Sequence, residues 1–523
     1  MSLNISNTSS FCFINCSLFD NPNVNAILCK GGIIKKIGLS HEIAGDKTID
    51  LQGGVVYPGF TDSHLHLLGL GKSLKTLDLR NSSDPKEILD MLQQKIKKLN
   101  KDEWLHGWGW DQNSWKKTEY PHKKMLDSVS LDVPICLKRI DGHAAWVNSK
   151  ALNIAGITKT SNIPRGGKLL RDDEGELSGI LIDNAVELLN PVIPKTSIKE
   201  KKTVILDALP YLNRLGITSI HDAGTDFETL EILKQLINEK LLTISVYAML
   251  TDDPETYEKY LTSGPFIEKS GSLTIKSLKL YLDGALGSRG AALLSSYNDD
   301  PENCGLILLD TEKTIEKVSK FNAAGFQVCL HCIGDRANRI GLDIFEKGGN
   351  KSLRNRIEHA QIIHPDDLNR FSKLGVIPSM QPIHCTSDMP WIKNRLGTRD
   401  KNSYKWGSLL RSGTIIPGGS DAPIESPSPI EGIYAAVTRK NSSGFPKDGW
   451  QSSQCLSIDQ AIRMYTEWPA YASFQENFRG KIKPGFRADF SVLSQNLSSI
   501  HSEEILSTKV LFTIVNGKLV YSS

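Results

Sequence analysis

The chain has 523 residues with 62 basic and 59 acidic side chains, a formal charge of +3, too small a surplus for nucleic-acid or anionic-membrane binding, so a small-molecule partner is expected. No run of about 18 apolar residues occurs, so no membrane span is expected, and Met1 to Cys16 lack the basic and apolar regions of a signal peptide. Nine cysteines, an odd count without framework spacing, fit free thiols in a reducing cytoplasm.

Residues about 11 to 57 read as short strands with tight turns: Phe11 to Phe19, Asn25 to Lys30, Ile33 to Ile37 after Gly31-Gly32, and Thr48 to Leu51. The run Tyr57-Pro-Gly-Phe-Thr-Asp-Ser-His-Leu-His66 follows. His64 and His66, one residue apart at a strand end, share a face. That is the geometry of a metal clamp, since neutral imidazole is a good ligand for zinc and similar ions; an exposed polar strand end is the bland alternative.

Residues about 75 to 200 are Gly-, Trp- and Asp-rich and fit no strand-helix repeat, so they read as a large insertion. Within it, the run Trp104 to Trp110 offers Trp110 either as the lining of an apolar or aromatic substrate pocket or as core. Beyond it, strands alternate with amphipathic helices: Gly216 to His221 before a helix Phe227 to Glu239, Phe326 to His331 before Ala337 to Glu346, and Val376 to Met380 after Pro365 to Leu374. Such alternation across 59–473 favours a parallel α/β architecture, of which the (β/α)8 barrel is the commonest enzyme form.

Polar ligand types recur at the C-terminal ends of these strands, where barrel active sites lie. They are Lys279 in Leu278-Lys-Leu-Tyr-Leu-Asp283, His331 in Cys329-Leu-His-Cys332, His359 in Arg356-Ile-Glu-His-Ala360, and Asp421 in Gly418-Gly-Ser-Asp-Ala-Pro423. Singly, each has a structural alternative: a solvated lysine, a hydrogen-bonded core histidine, a turn aspartate. Cys329 and Cys332 make an isolated C-x-x-C without redox or zinc-ribbon context. The C-terminus returns to strand texture, with Arg487 to Leu493 and then Val510 to Val515 and Lys518 to Tyr521 around Asn516-Gly517, a hairpin signal.

The order His-x-His, Lys, His, His, Asp resembles the amidohydrolase superfamily. Its branch is similar to amidohydrolase family 3, which includes YtcJ-like proteins and N-substituted formamide deformylases. The motifs are Pro58 to His66, Asp141-Gly-His-Ala-Ala-Trp-Val-Asn-Ser149, Lys279 to Arg289, His331-Cys-Ile-Gly-Asp-Arg-Ala337, Arg356 to Gln361, Gly419-Ser-Asp-Ala-Pro423 and Arg479 to Asp489.

The resemblance implies a distorted (β/α)8 TIM barrel, 59–473, and a small β-sandwich domain from 1–58 plus 474–523, with the insertion after the first barrel strand. It places His64 and His66 on a first metal ion and His331 and His359 on a second. A carboxylated Lys279 would bridge them, and Asp421 would bind the first ion and act as the catalytic acid-base. Zinc is the leading metal, with manganese, iron or cobalt as alternatives, and the count is one or two. The implied reaction is hydrolysis of a non-peptide C–N bond by metal-generated hydroxide. A cyclic amide, amidine or ester would suit the same core, and a non-catalytic regulatory protein keeping the fold is the alternative of a different class. His143, His221 and Trp110 are the candidate substrate-facing residues, with His384 and Asp335 held in reserve; a homodimer is compatible with the reading.

Overall fold

The computed structural model describes residues 9–523 apart from 81, 98, 100–102, 113, 114, 118, 141–143, 165, 166 and 195. The chain divides into two compact units, Met1–Leu70 with Ile205–Ser523, and Gly71–Val204. The first unit opens with β1 (Ser10–Leu18), β2 (Ala26–Lys30), β3 (Ile33–Gly38), β4 (Lys47–Pro58) and β5 (Phe60–Leu65). β4 runs well past its expected end at Leu51. Gln52 and Gly53, at φ 55° and 76°, form a bulge within a longer strand instead of a turn, and the β1–β4 register shifts there.

The second unit holds β6 (Leu77–Asp78), β7 (Leu105–Trp110), β8 (Ile135–Arg139), β9 (Ala144–Val147), β10 (Lys168–Arg171) and β11 (Leu177–Ile182), in the sheet order β10-β11-β9-β8-β7-β6. β6 to β8 pair in parallel and the rest antiparallel. The segment escapes the strand-helix repeat because it has a sheet and a core of its own. Ile88 and Leu92, one turn apart on the helix Pro85–Ile96, bury against Leu105, Ile135 and Leu137.

The first unit resumes with β12 (Ile217–Thr225), β13 (Ser245–Leu250), β14 (Phe266–Ile267), β15 (Leu273–Tyr281), β16 (Gln327–Cys332), β17 (Arg356–His359) and β18 (Ile377–Ser379). Parallel pairing runs β18-β17-β16-β15-β13-β12-β5, with β14 attached antiparallel to β15. The extended segment 416–421 spans the remaining gap. On one side Met380 N–H donates to Pro417 and Gly419 N–H to Met380, both at 3.1 Å; on the other Ser63 donates to Gly418 at 2.9 Å and Asp421 to the His64 carbonyl at 2.7 Å. The fold is therefore mixed α/β around a nearly closed parallel-strand barrel.

Crossover helices supply the parallel connections. Phe227–Asn238 starts at Asp226, whose carboxylate accepts from Thr229 N–H at 2.7 Å. Asp335–Gly348 follows β16 more closely than expected, and Asp335 accepts from Leu294 N–H at 2.8 Å. No helix among the described residues is long and apolar enough to cross a membrane.

β19 (Phe490–Leu493), β20 (Val510–Val515) and β21 (Lys518–Ser522) complete a seven-stranded sheet from both chain ends, in the order β21-β20-β19-β4-β1-β2-β3. Asn516 and Gly517 take φ 55° and 72°, the paired left-handed conformation of a two-residue hairpin turn. Phe13, Ile27, Ile34, Val56, Phe490 and Ile514 form the core of this sheet, distinct from that of the barrel. β3 also meets the segment before β19, where Ile34 donates to Phe486 at 2.8 Å, so the sheet rolls on itself.

Candidate metal centre

Strand register decides which side chains meet at the barrel's C-terminal rim. Lys279 pairs with Cys329 and Cys329 with Arg356; the next inward-facing step pairs Tyr281 with His331 and His331 with Glu358. On β5, Asp62 and His64 alternate onto one face, and His66 follows directly after the strand. His359, Ala360 and Asp421 occupy left-handed backbone, φ 74°, 45° and 60°. Such conformations cost about 1–3 kcal/mol each in non-glycine residues and persist where the surroundings over-determine them. For His359 the kink brings its ring near His64 although the preceding Glu358 already reaches that residue; the two ring centroids lie 4.8 Å apart.

His64 is the hub. Its Nδ1 meets Glu358 Oε2 at 2.5 Å, so Nε2 faces Lys279 Nζ at 3.3 Å and Asp421 Oδ1 at 3.5 Å. Glu358 is held by Arg356, whose Nε donates to Oε1 at 2.7 Å. The same guanidinium donates to the Ser63 carbonyl at 2.9 Å, to Ser379 Oγ at 2.8 Å and to His221 Nδ1 at 2.9 Å. Asp62 fastens the neighbouring backbone, accepting from His64 N–H at 3.0 Å, Ser420 N–H at 3.1 Å and Ser420 Oγ at 2.6 Å. His66 Nε2 lies 3.0 Å from Asp421 Oδ1, and Asp222 accepts from the following Leu67 N–H at 2.7 Å.

The opposite side is less satisfied. His359 Nδ1 meets Gln381 Oε1 at 2.8 Å, which leaves Nε2 as the lone-pair nitrogen. His331 has its ring centroid 4.5 Å from that of His359, yet its buried Nε2 has no hydrogen-bond partner. Asp283 is 3.8 Å from that nitrogen, too far for a hydrogen bond, and accepts instead from the N–H groups of Ile333, Gly334 and Ala292. His384, on the helix Pro382–Asp388, is buried with both ring nitrogens unpartnered.

Electrostatics prepares these groups to bind cations. Burial alone would push Glu358 up, but the Arg356 guanidinium and His64 hold its carboxyl well below the usual range. Burial likewise opposes ionisation of Asp421, yet the neighbouring His64 and His66 imidazoles hold it well below. Burial pushes His331 down to about 3, with the Lys279 charge adding to it. His359 is lowered well below an ordinary histidine, first by burial and then by His331. Burial also lowers Lys279, against the pull of Glu358 and Asp421.

Thus His64, His66, Lys279, His331, His359 and Asp421 gather at one end of the barrel. His221 is buried, with Nδ1 accepting from Arg356 and its ring beside Tyr247, so this nitrogen is already engaged by the guanidinium that holds Glu358. Trp110 lies within the second unit's core with no exposed surface, donating Nε1–H to the Leu137 carbonyl at 2.8 Å and packing on Trp115 and Trp146, so core packing replaces pocket lining for this ring. His143 lies outside the described residues. Sequence reasoning missed Glu358, Arg356, Asp62 and Gln381. The first two sit in the quoted Arg356-Ile-Glu-His motif, and their period-two spacing was the available signal.

Divalent-ion ligands about 2.0–2.2 Å from a metal stand about 3–4 Å from one another. Asp421 meets this spacing with three histidines, its Oδ1 lying 3.0 Å from His66 and 3.5 Å from His64 and its Oδ2 3.9 Å from His384. Two groups, His64-His66-Asp421 and His359-His384-Asp421, bring ligand atoms within 4.8 Å. Buried lone-pair nitrogens without partners, beside an ionised carboxylate, fit a divalent ion of the zinc, cobalt or manganese type.

The family model described as "Amidohydrolase family" matches residues 47–521. YtcJ of Bacillus subtilis (strain 168) is 34% identical over 526 residues, covering 97% of this chain and 98% of that protein. The N-substituted formamide deformylase of Arthrobacter pascens is 24% identical over 533 residues, covering 96% and 95%. The crystal structure of an uncharacterized metal-dependent hydrolase from Pyrococcus horikoshii OT3 superposes with a TM-score of 0.79 at 30% identity, over 94% of this chain and 99% of that one. With its family match spanning nearly the whole chain and its histidines and aspartate gathered at a barrel rim, the chain belongs to the amidohydrolase family, within the metal-dependent hydrolases of the amidohydrolase superfamily.

Proposed function

We propose that this protein hydrolyses a non-peptide C–N bond in a small amide, formamide or related N-acyl compound, using one or two divalent ions, zinc foremost. The expected domains, a distorted (β/α)8 barrel over 59–473 and a small β-sandwich domain from 1–58 plus 474–523, belong to the same proposal. The observation that carries it is the convergence of six ligand-type side chains, from His64 to Asp421, at one end of the barrel, among them His331 with a buried ring nitrogen that bonds to nothing else among the described residues. His64, His66 and Asp421 would hold the first ion, and His331 and His359 the second. Lys279, whose burial favours the neutral amine, would add carbon dioxide with loss of one proton and become an anionic bridge. When bound, such ions lower the pKa of water and polarise a carbonyl.

The chain's own part is proton transfer and orientation. Asp421, held ionised, accepts a proton from the attacking water and returns it to the leaving nitrogen, which departs poorly as an unprotonated amine. Glu358 fixes the His64 tautomer so that Nε2 offers a lone pair. The nine cysteines are all free, which supports placing the protein in a reducing cytoplasm.

The test is a panel of N-formyl and N-acyl amines assayed with protein of measured metal content. Turnover should scale with bound metal and disappear in His64→Ala. A His64→Ala protein with full metal and full activity would overturn the reading; turnover of only cyclic amides or esters would move it to those substrates.

A further inference from the structure

Among the described residues, His384 is a buried imidazole at the rim that the assignment above leaves without a task. Its side chain is 10% exposed, and neither ring nitrogen has a hydrogen-bond partner. A buried polar nitrogen without a partner is costly, and here one ring carries two. The ring lies near-parallel to His359, centroids 6.0 Å apart and planes 19° apart. The residue that starts the same helix, Gln381, orients His359 through its Nδ1. One short segment therefore sets both rings.

The two oxygens of Asp421 divide between the two groups. Oδ1 faces His66 and His64, while Oδ2 faces His384 at 3.9 Å, and the ligand atoms of His359, His384 and Asp421 fall within 4.8 Å of one another. We propose that His384 is a further ligand of the second divalent ion, beside His359 and on the side of the site that Oδ2 of Asp421 faces. This rests on the metal-dependent reading above and extends it. With His331 and His359 it would form a nitrogen donor set suited to zinc or cobalt(II).

The experiment titrates chelator-treated, full-length protein with cobalt(II), following visible absorption and metal stoichiometry, in wild type, His384→Ala and His384→Gln. The wild type should bind two equivalents. Both variants should keep the first at wild-type affinity, which also shows that they are folded, and bind the second at least about 100-fold more weakly, more than an outer-sphere partner contributes. Variants that bind both equivalents as the wild type does, or that lose both, overturn the proposal. A wild type that binds a single equivalent overturns it while leaving the proposed hydrolase standing; a wild type that binds none fails the hydrolase reading itself.

Discussion

The two sides of Asp421 are built differently. On the His64 side, each polar group already has an assigned partner: Glu358 takes Nδ1, Arg356 holds Glu358, and His221, Ser63 and Ser379 hold Arg356. On the other side, His331 and His384 present buried nitrogens that bond to nothing among the described residues. The first arrangement fixes a ring's direction through protein contacts alone; in the proposed centre the second would be satisfied by the ion. The difference teaches that pre-organisation and unmet demand are separate signatures of a metal site, and that one carboxylate can join them.

Removing the joint should have the largest effect. Asp421→Asn keeps the shape of the side chain but loses its proton affinity and its charge, so catalytic turnover should fall about 10³-fold or more. A variant within tenfold of wild type would mean that neither side depends on that carboxylate. Glu358→Gln should act next in size and on one side only. Its amide holds the His64 ring less well, and the first metal equivalent should bind about 10–100-fold more weakly while the second is unmoved. Equal weakening of both, measured by chelator competition, would show that the sides are not independent.

The sequence made the fold's rhythm legible because strand and helix periods are local. The hairpin at Asn516-Gly517 and the clamp at His64 and His66 depend on neighbours a few residues away. Arg356 and Glu358 depend on β5 and β12, which lie far back in the chain. Only barrel closure brings Ser63, His64 and His221 to them, so a stretch that reads as an ordinary strand becomes the support of the site. The closing segment 416–421, expected as a strand that ends at Asp421, has little strand propensity of its own at Pro417, Gly418 and Gly419. It is held by its neighbours' hydrogen bonds instead. Trp110 failed for another reason: an aromatic run carries no mark of whether its rings face a pocket or a core, and its surroundings came from Leu137 and Trp146.

The smallest expected effect concerns the support under His66. Asp222 is buried and accepts from Leu67 N–H and Thr225 Oγ1, yet burial outweighs these bonds and raises its pKa. A group whose folded-state pKa exceeds its unfolded value stabilises most below the unfolded value, about 3.9 for aspartate, and loses that contribution as pH rises through the folded one. Metal-free Asp222→Asn stays neutral throughout and escapes this loss. Its stability relative to wild type should therefore improve as pH is raised from 4 to 7. Thermal unfolding of both proteins across that range reads the slope directly. A difference independent of pH would mean that Asp222 ionises without penalty, and that the satisfied side of the site owes its order to hydrogen bonding alone.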